Sequence, residues 1–288
     1  MIYELKSDRL TVKIDSRGAQ LKSATLSGKE YMWCGDEKYW EDVAPVLFPI
    51  CGRLIGAEYG YGGKKYQMGI HGFAQTSEFT PTRVEKNRLT LSISSNEQTK
   101  KVYPFDFDFE ADFTVSDTTL ELKLTVKNTG EDVLPYMVGW HPGFALMGDG
   151  EINNFSVDFG GVDKVLWHVH NGNGFLDHAP LDYALKDGKY QLNEKEIYSN
   201  DTMVFRQTHG RAYLSSPDTD SALEIRYSEN LPYFCIWKEC FSEARFICLE
   251  PWSDIPSDGS MPEEFESREM SRLSPGASEE YSYSVKFI

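Results

Sequence analysis

The strongest constraint in this chain is a two-residue hydrophobic period. Phe105, Phe107, Phe109, Ala111, Phe113 and Val115 are separated by Asp106, Asp108, Glu110, Asp112 and Thr114. Leu10, Val12 and Ile14 alternate in the same way, as do Leu89, Leu91 and Ile93. Further ladders run through Leu120, Leu122, Leu124 and Val126, through Leu223, Ile225 and Tyr227, and through Tyr281, Tyr283, Val285 and Phe287. Successive side chains of a strand point to opposite faces, so each segment offers one face to a core and the other to water. Antiparallel sheets allow this, whereas a doubly wound parallel sheet is buried on both faces and reads as unbroken apolar runs. Helical signals are few. Glu37 to Val43 could hold a turn or two before Pro45, and Pro262 to Arg272 has a start-like proline and acidic residues. No repeat, low-complexity tract or linker divides the 288 residues. The expected fold is all-β: a large antiparallel β-sandwich with few short helices, residues 1–288 forming a single domain.

Charge narrows the partners. Lys+Arg number 29 and Asp+Glu 45, a net −16, which argues against nucleic acid or an anionic membrane as the main partner. No apolar run approaches the roughly 20 residues that span a bilayer. The start, Met1-Ile2-Tyr3-Glu4-Leu5-Lys6, turns polar at once and lacks a signal peptide's apolar region. Cys34, Cys51, Cys235, Cys240 and Cys248 show no paired spacing and read as packing residues. A reduced, cytoplasmic protein fits these features; oligomeric state is not encoded in them.

Three segments depart from plain strands and turns. Pro45 to Phe73 is rich in glycine from Gly52 to Gly72, so its backbone turns sharply or admits close approach, yet it lacks the spacing of a phosphate loop. It contains Arg53, which reads on composition as a surface charge, and His71, which reads as a turn histidine. The second segment, Pro135 to Phe144, places His141 between Trp140 and a Pro-Gly turn, as either a tunable imidazole or a satisfied core histidine. In the third, Arg245 to Trp252, Glu250 follows an apolar run and precedes Pro251, which is expected to end ladder pairing there. A carboxylate so placed needs a partner, with Arg53 or a histidine as candidates. His168, His170 and His178 could suggest a metal, but without a clear third ligand they read as a solvated loop. No nucleophile motif of the GxSxG kind is present.

Taken in order, FPICGRL around Arg53, GIHGF around His71, YPFDF from Tyr103, GWHPGF around His141, CLEPW around Glu250 and the terminal LSPGASEEYSYSVKF resemble the aldose 1-epimerase (mutarotase) family, and more closely its LacX-like bacterial branch. That resemblance implies a β-sandwich of galactose mutarotase type (a supersandwich) with an aldohexose bound in a groove on one sheet, and no cofactor or metal. It implies Glu250 as catalytic base and His141 as general acid, with Arg53 and His71 binding substrate. Asp201 is the candidate for an expected substrate-binding aspartate, and Trp237 for an aromatic wall, its alternative being a core tryptophan. Arg53 would also help keep Glu250 ionised, and roles that exchange on ring closure suit pKa values near neutrality. The rival readings are a non-catalytic carbohydrate-binding protein, a hexose-6-phosphate 1-epimerase using Lys64, Lys65 or Arg206, and a glycosidase with a second carboxylate.

Overall fold

The computed structural model describes residues 1–148, 150–170, 175–176, 179–200, 202–239, 243–259 and 263–288. Among them the alternating segments assemble into one nine-stranded sheet. Its order is Lys189–Gln191, Ser156–Asp158, Arg211–Ser215, Leu223–Tyr227, Ser278–Phe287, Thr119–Asn128, Phe107–Ser116, Arg88–Ser94 and Thr80–Val84. Phe107, Phe109, Ala111 and Phe113 are fully buried, while the residues between them remain partly exposed. Each such phenylalanine contributes about 1.5–3 kcal/mol through the apolar surface it removes from water.

A second sheet packs against that face. It runs Leu181–Ala184, Lys164–His168, Thr202–Arg206, Tyr233–Trp237, Phe246–Trp252, Gly139–Trp140 and Val46–Leu47, with Gly143–Ala145 also paired to Phe246–Trp252. Aromatic contacts bridge the layers: Phe48 stacks on Phe109 at 4.7 Å, Trp140 meets Tyr283 at 5.8 Å and Tyr227 stacks on Phe234 at 5.5 Å. Pairing within both sheets is antiparallel, as the alternation requires; the short Glu263–Glu264 strand pairs in parallel with Glu58–Tyr61. Leu10–Asp15 belongs to a separate four-stranded sheet near the N-terminus.

Two local expectations need correction. Residues 37–43 form turns rather than a helix. Of the 262–272 segment, the described part is the short strand Glu263–Glu264 followed by a turn and the strand Ser271–Leu273. The α-helices lie instead at Thr99–Val102 and Glu194–Asn200. Asn193 starts the second, its side-chain oxygen accepting from the N–H groups of Lys195 and Glu196. The other correction concerns Pro251. The strand does not stop at Glu250 but continues through Pro251 and Trp252, with Pro251 opposite Phe234. The amides of Leu249 and Ser253 donate to Pro142 and Val138, so alternation turns the Pro251 nitrogen toward the same neighbour. There the neighbouring chain is split between Gly139–Trp140 and Gly143–Ala145. A missing donor faces a missing strand, which is how a proline is accommodated inside a sheet.

Candidate active site

The break that accommodates Pro251 is where His141 leaves the ladder, its own amide donating to the carbonyl of Pro45 at 3.1 Å. Across it, Phe246–Trp252 is buried along its whole length, and its even-numbered side chains share the face turned away from the other sheet. Cross-strand register extends that face into three rungs: Thr202 with Trp237 and Cys248, Val204 with Cys235 and Glu250, and Arg206 with Tyr233 and Trp252. His141 Nε2 lies 3.3 Å from Glu250 Oε2. The carboxylate is 1% exposed, and neither of its oxygens has an aligned hydrogen bond. Burial therefore pushes the Glu250 carboxyl well above the usual carboxylate range, with the Trp252 indole offsetting part of the effect. Burial also lowers the His141 imidazole to about 3. Both shifts favour the uncharged forms, so the pair is separated from neutrality in opposite directions rather than poised near it.

His71 is held differently. Its backbone has φ = +61°, unusual for a side-chain-bearing residue, and its amide donates to the Gly52 carbonyl at 2.7 Å. In return the Gly52 amide donates to His71 Nδ1 at 3.0 Å. An Nδ1 that accepts leaves Nε2 to carry the proton, and burial together with His141 and Arg53 keeps the ring uncharged. His71 is thus a fixed hydrogen-bond donor, its ring centroid 5.3 Å from that of His141 and 5.7 Å from that of Trp252. Gly52 has φ = +72°, and a Cβ there would lie 2.0 Å from Pro256 Cγ, so only glycine fits this lock.

These groups line one cavity of about 550 Å³, with Arg53, His71, His141, Trp237 and Glu250 all on its wall. Trp237 is half-buried, its ring 5.5 Å from His141 and 5.4 Å from Trp40, which places it on the wall rather than in the core. Arg53 is exposed at the mouth. It acts on His71, while the titratable neighbour of Glu250 is the uncharged His141; the expectation that Arg53 sustains the Glu250 charge is not met. Asp201 and His178 lie outside the described residues. Neither His168 nor His170 is exposed. His168 is 3% exposed beside a second cavity of about 550 Å³, and His170 lines the first. Cys51, Cys235 and Cys248 are buried near Glu250, and burial above all raises the three thiols well above their ordinary range, so they are poor nucleophiles.

Sequence reasoning gave Trp40 and Trp252 no role of their own. The Trp40 ring lies 5.0 Å from His141 and stacks on Phe246 at 5.6 Å. Aromatic spacing before Pro45 was the available signal, but its partners come from positions about 100 and 200 residues away in the chain.

Residues 1–263 match the family described as aldose 1-epimerase. The chain is 29% identical over 266 residues to the protein LacX of Lactococcus lactis subsp. lactis, covering 88% of each. Among solved structures, a galactose mutarotase related enzyme from Lactobacillus acidophilus superposes with a TM-score of 0.92 at 27% identity, covering 100% of this chain and 97% of that one. A galactose mutarotase-like protein from Lactobacillus casei shares the fold over the full length of both chains, with a TM-score of 0.93 at 23% identity. Fold and relatives together define an isomerase with a mutarotase-type function. The chain belongs to the aldose 1-epimerase family. No helix among the described residues is long and apolar enough to cross a membrane.

Proposed function

We propose that this protein interconverts the α and β anomers of an unphosphorylated aldohexose in the cavity built on Glu250 and His141. The observation that carries the reading is the 3.3 Å carboxylate–imidazole pair at the inner end of that cavity. Ring opening takes a proton from the anomeric hydroxyl, forms the C1 carbonyl, breaks the bond from C1 to the ring oxygen and delivers a proton to that oxygen. The two oxygens share one carbon, so two adjacent groups suffice. In the reactive state Glu250 is the carboxylate that accepts and His141 the imidazolium that donates; rotation about C1–C2 and the reverse transfers close the other anomer. Before substrate binds, burial favours the uncharged pair. Sugar hydroxyls, the fixed His71 Nε2–H and Arg53 at the mouth supply the hydrogen bonds that favour the charged one. Trp40 and Trp237 offer apolar faces to the pyranose. An aspartate contribution from Asp201 remains part of the proposal, as do a cytoplasmic setting and the single domain. The last is supported by one core cluster that runs from Leu5 to Phe287.

The sugar-phosphate reading is disfavoured by charge. Arg53 shares the cavity wall with Glu41, Asp42, Glu239 and Glu250. Lys65 pairs instead with Glu58 at 2.6 Å, and Arg206 lines the second cavity among Asp254, Glu263 and Glu269. Polarimetry or NMR exchange on fresh α-glucose and α-galactose tests the function. Glu250→Gln and His141→Asn should each lose about 10²–10⁴ in rate while keeping the wild-type fold. Near-wild-type exchange in either variant would sink the assignment, and sugar binding by calorimetry without exchange in the wild type would favour a binding protein.

A further inference from the structure

We propose that His141 Nε2, Cys248 Sγ and one carboxylate oxygen of Glu250 form a binding site for a single thiophilic divalent cation of the zinc class. One ligand atom from each of the three residues lies within 4.8 Å of the other two, the one such cluster of three among the described residues. Two of the vertices already stand at the right separation. Metal bonds of about 2.0–2.2 Å to nitrogen and oxygen in a tetrahedron put those ligands about 3.3–3.5 Å apart, and His141 Nε2 and Glu250 Oε2 are 3.3 Å apart. Cys248 and Glu250 are two residues apart on one face of a buried strand, and His141 lies in the break of the neighbouring strand, its amide held by the Pro45 carbonyl.

Neither Glu250 oxygen has an aligned hydrogen bond, the Trp252 indole being the donor that acts on it, and His141 Nδ1 has none that would prevent Nε2 from presenting its lone pair. The cavity, lined by His141 and Glu250, provides the entry path. A thiolate, an imidazole and a carboxylate select zinc-like ions over magnesium or calcium, which prefer all-oxygen shells. On binding, the metal displaces the Cys248 thiol proton and the carboxyl proton to solvent. One dication then balances one thiolate and one carboxylate in a place where an isolated charge is costly. A bound cation would occupy the atoms that the proposed epimerisation uses, so loading and turnover exclude each other.

The test is direct titration of the intact protein with cadmium chloride, read by the ultraviolet charge-transfer band of a cadmium thiolate, with zinc chloride as competitor. The expected result is a saturable band at one cadmium per chain that zinc abolishes. Cys248→Ser should remove the band and weaken cadmium binding by about 100-fold, and His141→Asn should keep the band but weaken binding by about tenfold or more. Absence of the band in the wild type, or a band and affinity unchanged in Cys248→Ser, overturns the site. If Cys248→Ser fails to fold, His141→Asn decides, since its thiol is intact and an unaltered affinity overturns the proposal. Cadmium binding is measured without turnover, so it stands or falls separately from the epimerase reading.

Discussion

Burial moves the two members of the proposed acid–base pair in opposite directions, and this shapes the pH profile. The pair holds one proton at any pH between the lowered His141 value of about 3 and the raised Glu250 value. Such a pair titrates as a unit. The acid limb of kcat/KM should therefore lie toward 3 rather than near the value of about 6.5 of an ordinary histidine, and the alkaline limb where the raised Glu250 carboxyl ionises. A pH–rate series whose acid limb falls near 6.5 would contradict the buried pair. Asp254 offers a stability test. Burial pushes its carboxyl up to about 6 from 3.8, so between these values the folded state holds a proton that the unfolded state has lost. Stability contributed by the protonated form is complete below 3.8 and lost as pH rises through 6. Asp254→Asn should gain about 1–3 kcal/mol over wild type at pH 8 and little near pH 4; denaturant unfolding at both values measures the difference. The side chains of the proposed site were legible as residue types in distinctive local sequence: Arg53, His71, His141 and Glu250. The Gly52–His71 tautomer lock was not, because it depends on two backbone amides 19 residues apart meeting in space.

At the scale of elements, the alternating segments that first signalled an all-β fold are mostly those of the nine-stranded sheet, which has one wet face. The sheet that carries the site has little alternation. Phe246–Trp252 is buried on both faces, one by the opposite sheet and one by Trp33, Trp40 and the cavity wall. Its apolar run was legible, but the placement of Pro251 inside it was not, since the permission comes from the neighbouring break at His141-Pro142. The short helices escaped notice for a related reason: Thr99–Val102 and Glu194–Asn200 span too few turns to express a 3.6-residue period. Gly143 couples the broken strand to the aromatic wall. A Cβ there would meet Trp40 Cζ3 at 2.7 Å and the Val43 carbonyl at 3.2 Å. Gly143→Ala should cost about 1–3 kcal/mol and raise KM by displacing the Trp40 ring. Steady-state kinetics with urea unfolding would detect both, and an unchanged KM would remove Trp40 from the substrate wall.

For the whole molecule, the net charge of −16 sets how the enzyme meets its substrate. A neutral sugar feels no long-range field, whereas a sugar phosphate is repelled until salt screens the repulsion. The rate constant kcat/KM for an unphosphorylated aldohexose should be the same at about 0.01 M and about 1 M salt, while any residual turnover of a 6-phosphate should rise with salt. A strong salt response with the neutral sugar would reopen the question of substrate charge.

The three rungs across the site sheet have one last consequence. A slip of one residue between Phe246–Trp252 and Tyr233–Trp237 would turn Glu250 inward among the aromatics that join the two sheets, and bring Leu249 or Pro251 to the cavity. An unpaired carboxylate there is costly enough to keep such a chain from closing its core. The residue proposed as the base therefore also proofreads assembly: a molecule compact enough to persist has already set Glu250 and His141 in register.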